Sequence, residues 1–329
     1  MSSGQLWKYC TSDQVKEVLL SLHLLDGVPI KEEKRLACLY AVSNHTEKHY
    51  HSAAIPKKNG QVRRLFVPDP LLMRIQKNIL RHVLAEEAVS EYATAYRAGS
   101  AVIENVRPHV GKKKILKLDI QRFFDHITFP LVYQYAFPAV QFPPAIRRLL
   151  TELCCYKDYL PQGAPTSPAI SNLVMKPFDE FIGAWCAKRK ITYTRYCDDL
   201  TFSGEFDEKE VKCKVRSYLE AMGFDLNRKK TRLARQCSRQ TVTGIVVNEK
   251  PQVNREYRRQ LRAELYYCRK YGVKSHLERI YGQKRQIEDE DCKTYLRQQL
   301  GKVNYVLQVN PADPYFFQEV ARLKKELKE

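Results

Sequence analysis

The sequence predicts an α+β fold, and three observations carry that prediction. Ile191 to Phe202 is β-branched and aromatic on both flanks of the Asp198-Asp199 pair, the pattern of a β-hairpin with carboxylates at its tip. Far upstream, Lys114 to Asp125 runs apolar into Asp119 and continues with Phe123 and Phe124, which reads as a buried strand ending in a carboxylate. From Arg255 the composition shifts, and Tyr257, Leu261, Leu265 and Cys268 recur at helical intervals among arginines.

A chain of 329 residues can build two or three packed subdomains. Lys and Arg number 56 against 37 Asp and Glu, a formal net charge of +19. Such a balance points to a polyanionic partner. A merely soluble basic surface ranks second, because 20 tyrosines accompany the charge. The ten cysteines include no C-x-x-C pair, so the usual zinc-site spacing is absent. The N-terminus carries no secretory signal, and no apolar run approaches the ~18 residues of a membrane span. Reduced thiols and a cytoplasmic location without a membrane partner are therefore expected.

In chain order, Val15, Val18, Leu19, Leu22 and Leu25 predict a helix that Asp26-Gly27 breaks, and a second helix is expected from Lys31 to about Val42. His45, His49 and His51 cluster without an acidic or Cys partner at ligand spacing, which favours surface histidines over a metal site. Ala54 to Pro68 predicts a basic hairpin turning at Asn59-Gly60. Its Arg63 and Arg64 are either phosphate contacts or charges guarding an exposed edge. A helix follows from Leu71 to about Leu84, with Leu72, Ile75, Ile79 and Val83 on one face, and Gly99 marks a turn. Residues 129 to 159 predict a helical connection broken at Phe137-Pro138 and Phe142-Pro143-Pro144. Pro161 to Pro168 is a Pro/Gly loop opening a helix that Ser167 can cap and Pro177 should kink. Glu208 to about Met222 reads as a helix ended by Gly223, Val242 to Val247 as a strand, and 274 to 286 and 291 to 308 as further helices.

Alone, Asp198-Asp199 is ordinary turn chemistry. The order of three motifs changes that reading. Asp119 followed by Phe123 and Phe124, then Pro161-Gln162-Gly163-Ala164-Pro165-Thr166-Ser167-Pro168, then Tyr196-Cys197-Asp198-Asp199 resembles the reverse transcriptases, whose motifs are an Asp followed by two aromatics, PQGxPxSP and YxDD. The resemblance covers most of residues 54 to 250. Asn105 to His109 is similar to the NAxxH element of the retron subgroup, with Val106 in place of its Ala, and Val242-Thr243-Gly244 matches that subgroup's VTG.

The resemblance implies a right-hand polymerase with fingers, palm and thumb, an antiparallel palm sheet backed by helices, and a helical thumb. The expected divisions are a helical region over 1–53, the fingers and palm with primer-grip strands over 54–250, and a basic thumb over 251–329. It implies RNA-directed DNA synthesis on two Mg²⁺ ions, with Mn²⁺ a possible substitute. Asp119 and Asp198 are the expected ligands, Asp199 supports them, and the carbonyl of Ile120 adds a ligand. Hard carboxylate oxygens suit that metal. Arg63, Arg64, Phe124, Gln162, and Lys229 or Lys230 are the expected contacts to the incoming deoxynucleoside triphosphate, Phe124 by blocking a ribose 2′-hydroxyl. Tyr196 is expected near the primer end. Asn105, His109, Val242, Thr243 and Gly244 are candidates for RNA positioning, and for His109 and Gly244 a purely structural role is an equal alternative. Arg255, Arg258, Arg259, Arg262 and Arg269 are expected to track nucleic acid, with a membrane surface as the alternative for that helix. The resemblance further implies a cognate structured RNA serving as template and primer, a DNA product joined to it, and an effector protein of a defence system. It leaves the oligomeric state open. Template removal is expected to need another enzyme. A non-catalytic RNA-binding scaffold and a different type of defence or intron reverse transcriptase are the competing readings, and the intact Asp119, Asp198 and Asp199 disfavour the first.

Overall fold

A computed structural model describes residues 7–56, 60, 62–282 and 286–328. Its residues group into two compact units. One comprises Met1–Ser100, Lys117–Thr201 and Phe206–Arg232, and the other Ala101–Leu116, Phe202–Glu205 and Leu233–Glu329.

The first unit opens with α1 (Ser12–Ser21), started by a capping box in which the Thr11 hydroxyl accepts from the Gln14 amide and the Gln14 side chain accepts from the Thr11 amide. Helix α2 (Arg35–Asn44) follows a short 3₁₀ turn, so the helix expected from Lys31 begins in earnest four residues later. Strands β1 (Tyr50–Pro56) and β2 (Val62–Pro68) form the expected basic hairpin, antiparallel, with Ser52 opposite Phe66 and Ala54 opposite Arg64. Asn59 of its anticipated turn lies outside the described residues. Asp69 caps α3 (Pro70–His82) by accepting from the Leu72 amide at 2.8 Å, and Pro70 sits at the first helical position where its fixed φ fits. The buried stripe is Leu72, Ile75 and Ile79, as the periodicity predicts. His49 pairs with Asp69 at 2.7 Å, an acidic partner that local spacing does not reveal.

The central part of the chain runs α4 (Val102–Val106), β3 (Lys114–Asp119), α5 (Phe129–Tyr135), α6 (Pro144–Cys154), α7 (Ser167–Ala187), β4 (Thr192–Tyr196), β5 (Asp199–Gly204), α8 (Glu208–Ala221) and β6 (Arg232–Arg235). The sheet order is β4-β5-β3-β6, which puts the two carboxylate-bearing segments on neighbouring strands. Helix α7 runs through Pro177 without interruption. Ser167 does not cap it. Its hydroxyl instead donates to the Pro161 carbonyl at 2.7 Å and closes the Pro/Gly loop on itself, while the cap position falls to Thr166 with no side-chain cap bond.

The second unit corrects one strand. Val242 to Val247 is not continuous but a minimal hairpin of β7 (Thr241–Val242) and β8 (Ile245–Val246). Its tip places Thr243 at φ +45° and Gly244 at φ +82°, and a two-residue hairpin turn of this kind needs positive φ at both positions. The β-branched run concealed the turn because Thr is an uncommon occupant of that region. Helices α9 (Arg255–Tyr271), α10 (Val273–Tyr281), α11 (Asp289–Val309) and α12 (Pro314–Glu326) complete the unit, the last not foreseen from the sequence. One apolar core joins Ile103, Val106 and Ile115 to the β7–β8 residues Val242 and Ile245 and to Leu261, Leu265, Val303, Val306, Phe316 and Leu323. No described helix is long and apolar enough to cross a membrane.

Candidate active site

Two backbone endings meet in the first unit. Strand β3 delivers Asp119, which is 5 % exposed, and the β4–β5 turn delivers Asp198 and the more exposed Asp199. The junction is stitched through the main chain. The Ile120 amide donates to the Asp198 carbonyl at 3.0 Å, the Asn227 amide to the Asp119 carbonyl at 2.8 Å, and the Gln121 amide to the Asp225 carbonyl at 2.8 Å. Ile120 itself is buried. Cys197, at the turn, has φ +60°.

The electrostatics are those of crowded carboxylates. Burial raises the Asp119 carboxyl above its ordinary range; Asp198 adds to the rise, and Lys230 opposes it through a 2.7 Å bond from Nζ to Oδ2. Desolvation, then the charges of Asp198 and Asp119, push Asp199 up to about 6. Asp119 and Asp199 thus resist ionising beside their neighbours, and a cation relieves that cost. Lys230 supplies one such cation, and its own ammonium is held up by the bond to Asp119. Lys117 on β3, which no motif singles out, is the converse: burial lowers its pKa while the Asp199 charge raises it. Burial and then Asp198 push the Cys197 thiol up to about 12, so it remains neutral beside the carboxylates.

Among the described residues no three His, Cys, Asp or Glu side chains form a ready-made metal cage. The donor set nevertheless fits a hard divalent cation. Asp119, Asp198 and Asp199 offer only oxygen, they repel one another, and an ammonium already sits against one of them. A magnesium site of few carboxylates also suits an ion that keeps several waters.

Around this junction the expected nucleotide contacts are distributed unevenly. Phe124 is half-buried and lies edge-on to the buried Phe123 at 5.3 Å. The Gln162 carbonyl accepts from the Phe66 amide at 2.7 Å, fastening the Pro/Gly loop to β2. Gly163 is required there, since a Cβ would lie 2.8 Å from the Phe66 carbonyl oxygen and φ is +122°. Arg63 and Arg64 are successive strand residues and so point to opposite faces of the hairpin. Arg64 lines a recess of about 530 Å³ with Tyr50, Phe66 and Tyr156. Of the two lysines, Lys230 and not Lys229 contacts a carboxylate of the junction. Tyr196 is half-buried at the end of β4.

The remaining candidates lie in the second unit. Asn105, His109 and Val242 are each 0 % exposed, so their side chains lie inside the second unit, as the structural alternative for His109 has it. The His109 Nδ1 lies 2.6 Å from the Ser203 hydroxyl, and burial, with a smaller push from Lys112, drives its pKa down to about 3. Thr243 is half-buried and Gly244 exposed. Arg258 turns back on its own helix start, donating to the Val253 carbonyl and to Gln252, each at 3.2 Å. Arg262 lies 3.7 Å from Asp313 and 5.2 Å from the ring centroids of Tyr315 and Phe316, and Arg269 lies 3.9 Å from Glu319. Arg255 and Arg259 are exposed.

Residues 55–256 match the family described as reverse transcriptase (RNA-dependent DNA polymerase). The chain belongs to the reverse transcriptase family. Among its relatives, the retron Ec86 reverse transcriptase of Escherichia coli is 32 % identical over 75 % of this chain and 78 % of that protein. The retron Mx65 reverse transcriptase of Myxococcus xanthus is 33 % identical over 71 % of this chain and 60 % of that protein. The retron Mx162 reverse transcriptase of the same organism is 33 % identical over 68 % and 54 % respectively. The chain is thus an RNA-directed DNA polymerase of the bacterial retron type, with the α+β, right-hand polymerase fold expected of it.

Proposed function

We propose that this reverse transcriptase copies part of a cognate structured RNA into DNA that stays joined to that RNA, starting from a ribose 2′-hydroxyl of the RNA itself. The observation that carries the catalytic part is the fastening of the Asp198 carbonyl to the Ile120 amide, which holds the turn beside Asp119. Asp119 and Asp198 are the proposed ligands of Mg²⁺ (Mn²⁺ substituting), with Asp199 in support and the Ile120 carbonyl as a further donor. When bound, two divalent ions activate the attacking hydroxyl and stabilise the leaving pyrophosphate.

The chain's own residues do the rest. Asp119 would hold the cation together with Asp198, and Lys230, which bonds Asp119 in this structure, would then be available to the triphosphate. Gln162 and one of the hairpin arginines, Arg63 or Arg64, hold the incoming deoxynucleoside triphosphate, and the Phe124 ring closes the space that a ribose 2′-hydroxyl would need. Tyr196 packs at the primer end. The proposed divisions are 1–53, 54–250 and 251–329, the last gripping duplex RNA or hybrid. Service in antiviral defence with an effector protein, in the cytoplasm, is the remaining part of the proposal.

The test is synthesis on the RNA encoded beside the gene. A branched RNA–DNA product made without an added primer is expected. If only annealed primers are extended, the retron-type priming is refuted and general RNA-directed synthesis remains.

A further inference from the structure

A buried polar network reaches the catalytic turn from helix α7. Asp179 and Arg195 form an ion pair with both side chains 0 % exposed. Arg195 Nη2 lies 2.6 Å from Asp179 Oδ2, and Nε donates to both carboxylate oxygens at 2.9 and 3.0 Å. Tyr193 donates its hydroxyl to the same carboxylate at 2.8 Å. The guanidinium has two further bonds. Nη2 donates to the Asn172 side-chain oxygen and Nη1 donates to the Cys197 carbonyl, each at 3.1 Å. That carbonyl lies immediately before Asp198.

A second element holds the same residue from outside. The segment from Tyr92 to Ser100 runs beside β4: the Arg195 amide donates to the Tyr92 carbonyl at 2.7 Å, and the Thr94 amide and hydroxyl both donate to the Arg195 carbonyl, at 2.8 and 3.0 Å. Asn172 donates to the Ala95 carbonyl at 2.8 Å. Gly183 of α7 admits the Tyr92 ring, which would lie 2.1 Å from a Cβ there. The segment so fixed presents Tyr96, 48 % exposed and at φ +61°, with its hydroxyl 3.1 Å from the Cys197 thiol.

Cys197 therefore sits in a left-handed conformation that few non-glycine residues adopt, held by its carbonyl on one side and its sulfur on the other. A buried ion pair is by itself weak evidence for stability, since apolar residues of like volume serve as well. This one is distinguished by its extra bond into the catalytic turn. We propose that Arg195 and Tyr96 are positioning residues that clamp the Cys197 turn and so set Asp198 opposite Asp119, preorganising the divalent-cation site. The proposal rests on the reading of Asp119 and Asp198 as the cation ligands.

Tyr96→Phe removes the hydroxyl and keeps the exposed ring, so folding should be spared. Binding of Mn²⁺ to the full chain without nucleotide, followed by electron paramagnetic resonance, should weaken about tenfold, the lower range for loss of a group that orients a ligand. Amide hydrogen exchange over residues 196–200 should speed up while the melting temperature holds. In single-nucleotide insertion, kcat should fall with KM for the nucleotide unchanged. Cys197→Ala and the Tyr96→Phe/Cys197→Ala double variant should match Tyr96→Phe, because both remove one contact. Wild-type Mn²⁺ affinity and exchange in Tyr96→Phe, or additive losses in the double variant, would overturn the clamp. Asp198→Asn separates the two ideas. If it keeps Mn²⁺ affinity and activity, the ligand reading fails; if it loses both while Tyr96→Phe loses neither, the clamp alone fails.

Discussion

Two of the tight turns with left-handed residues, at Cys197 and at Thr243-Gly244, are held in opposite ways. The Cys197 turn of the first unit is secured by hydrogen bonds and a buried ion pair and presents carboxylates. The Thr243-Gly244 turn of the second unit is secured by apolar packing, with Val242, Ile245 and Val247 at 0 % exposure, and presents a small tip. Apolar packing depends chiefly on volume and tolerates similar shapes. A buried polar network depends on every partner being present. The contrast teaches that the chain spends directional bonds where charge has to be aimed and packing where a backbone only has to be supported.

Breaking the polar side should therefore be the more damaging. Asp179→Asn leaves the Arg195 guanidinium buried with its charge uncompensated, and about 3–5 kcal/mol of stability should be lost on the scale of broken buried pairs. Chemical denaturation would measure it; a loss below about 1 kcal/mol would show that water or another group replaces the carboxylate.

His109 sharpens the comparison through pH. It is buried in the second unit with its pKa pushed down to about 3 from an ordinary value near 6.5, so the native state holds it neutral while the unfolded chain takes up a proton below pH 6.5. Its contribution is complete above that value and is lost as pH falls from 6.5 toward 3, at up to about 1.4 kcal/mol per pH unit. His109→Gln should flatten the slope of unfolding free energy between pH 6.5 and 4.5. An unchanged slope would contradict the burial of a neutral imidazole.

Ile245→Val, in the apolar turn, should cost only about 0.5–1.5 kcal/mol. A loss as large as that of Asp179→Asn would erase the distinction between the two turns.

The residues that were legible in the sequence are those whose chemistry depends on local spacing. Asp119 with its two aromatics, the Gln162-Gly163 loop and Asp198-Asp199 each sit within a dozen residues of their own motif; an apolar run marks the strand ending at Asp119, and β-branched and aromatic flanks mark the strands around Asp198-Asp199. What supports them was not legible. Arg195 lies on a strand and its partner Asp179 on the preceding helix, 16 residues away, a pairing that neither helical nor strand spacing connects. Tyr96 meets Cys197 across 101 residues. Residues 103–115 join a core with helices near the C-terminus, a grouping that periodicity cannot reveal. Thr243-Gly244 was hidden because β-branched neighbours outweighed a single glycine.

The central claim is that Asp119 and Asp198 act together as the cation-holding pair. Its most direct measurement is single-nucleotide insertion on an RNA template by Asp119→Asn and Asp198→Asn, across a range of Mg²⁺ concentration, with RNA affinity measured in parallel. Insertion should fall by about a thousandfold or more, on the scale of removing a principal source of transition-state charge stabilisation, with RNA affinity retained. Near-normal insertion by both variants, at any Mg²⁺ concentration, would contradict it.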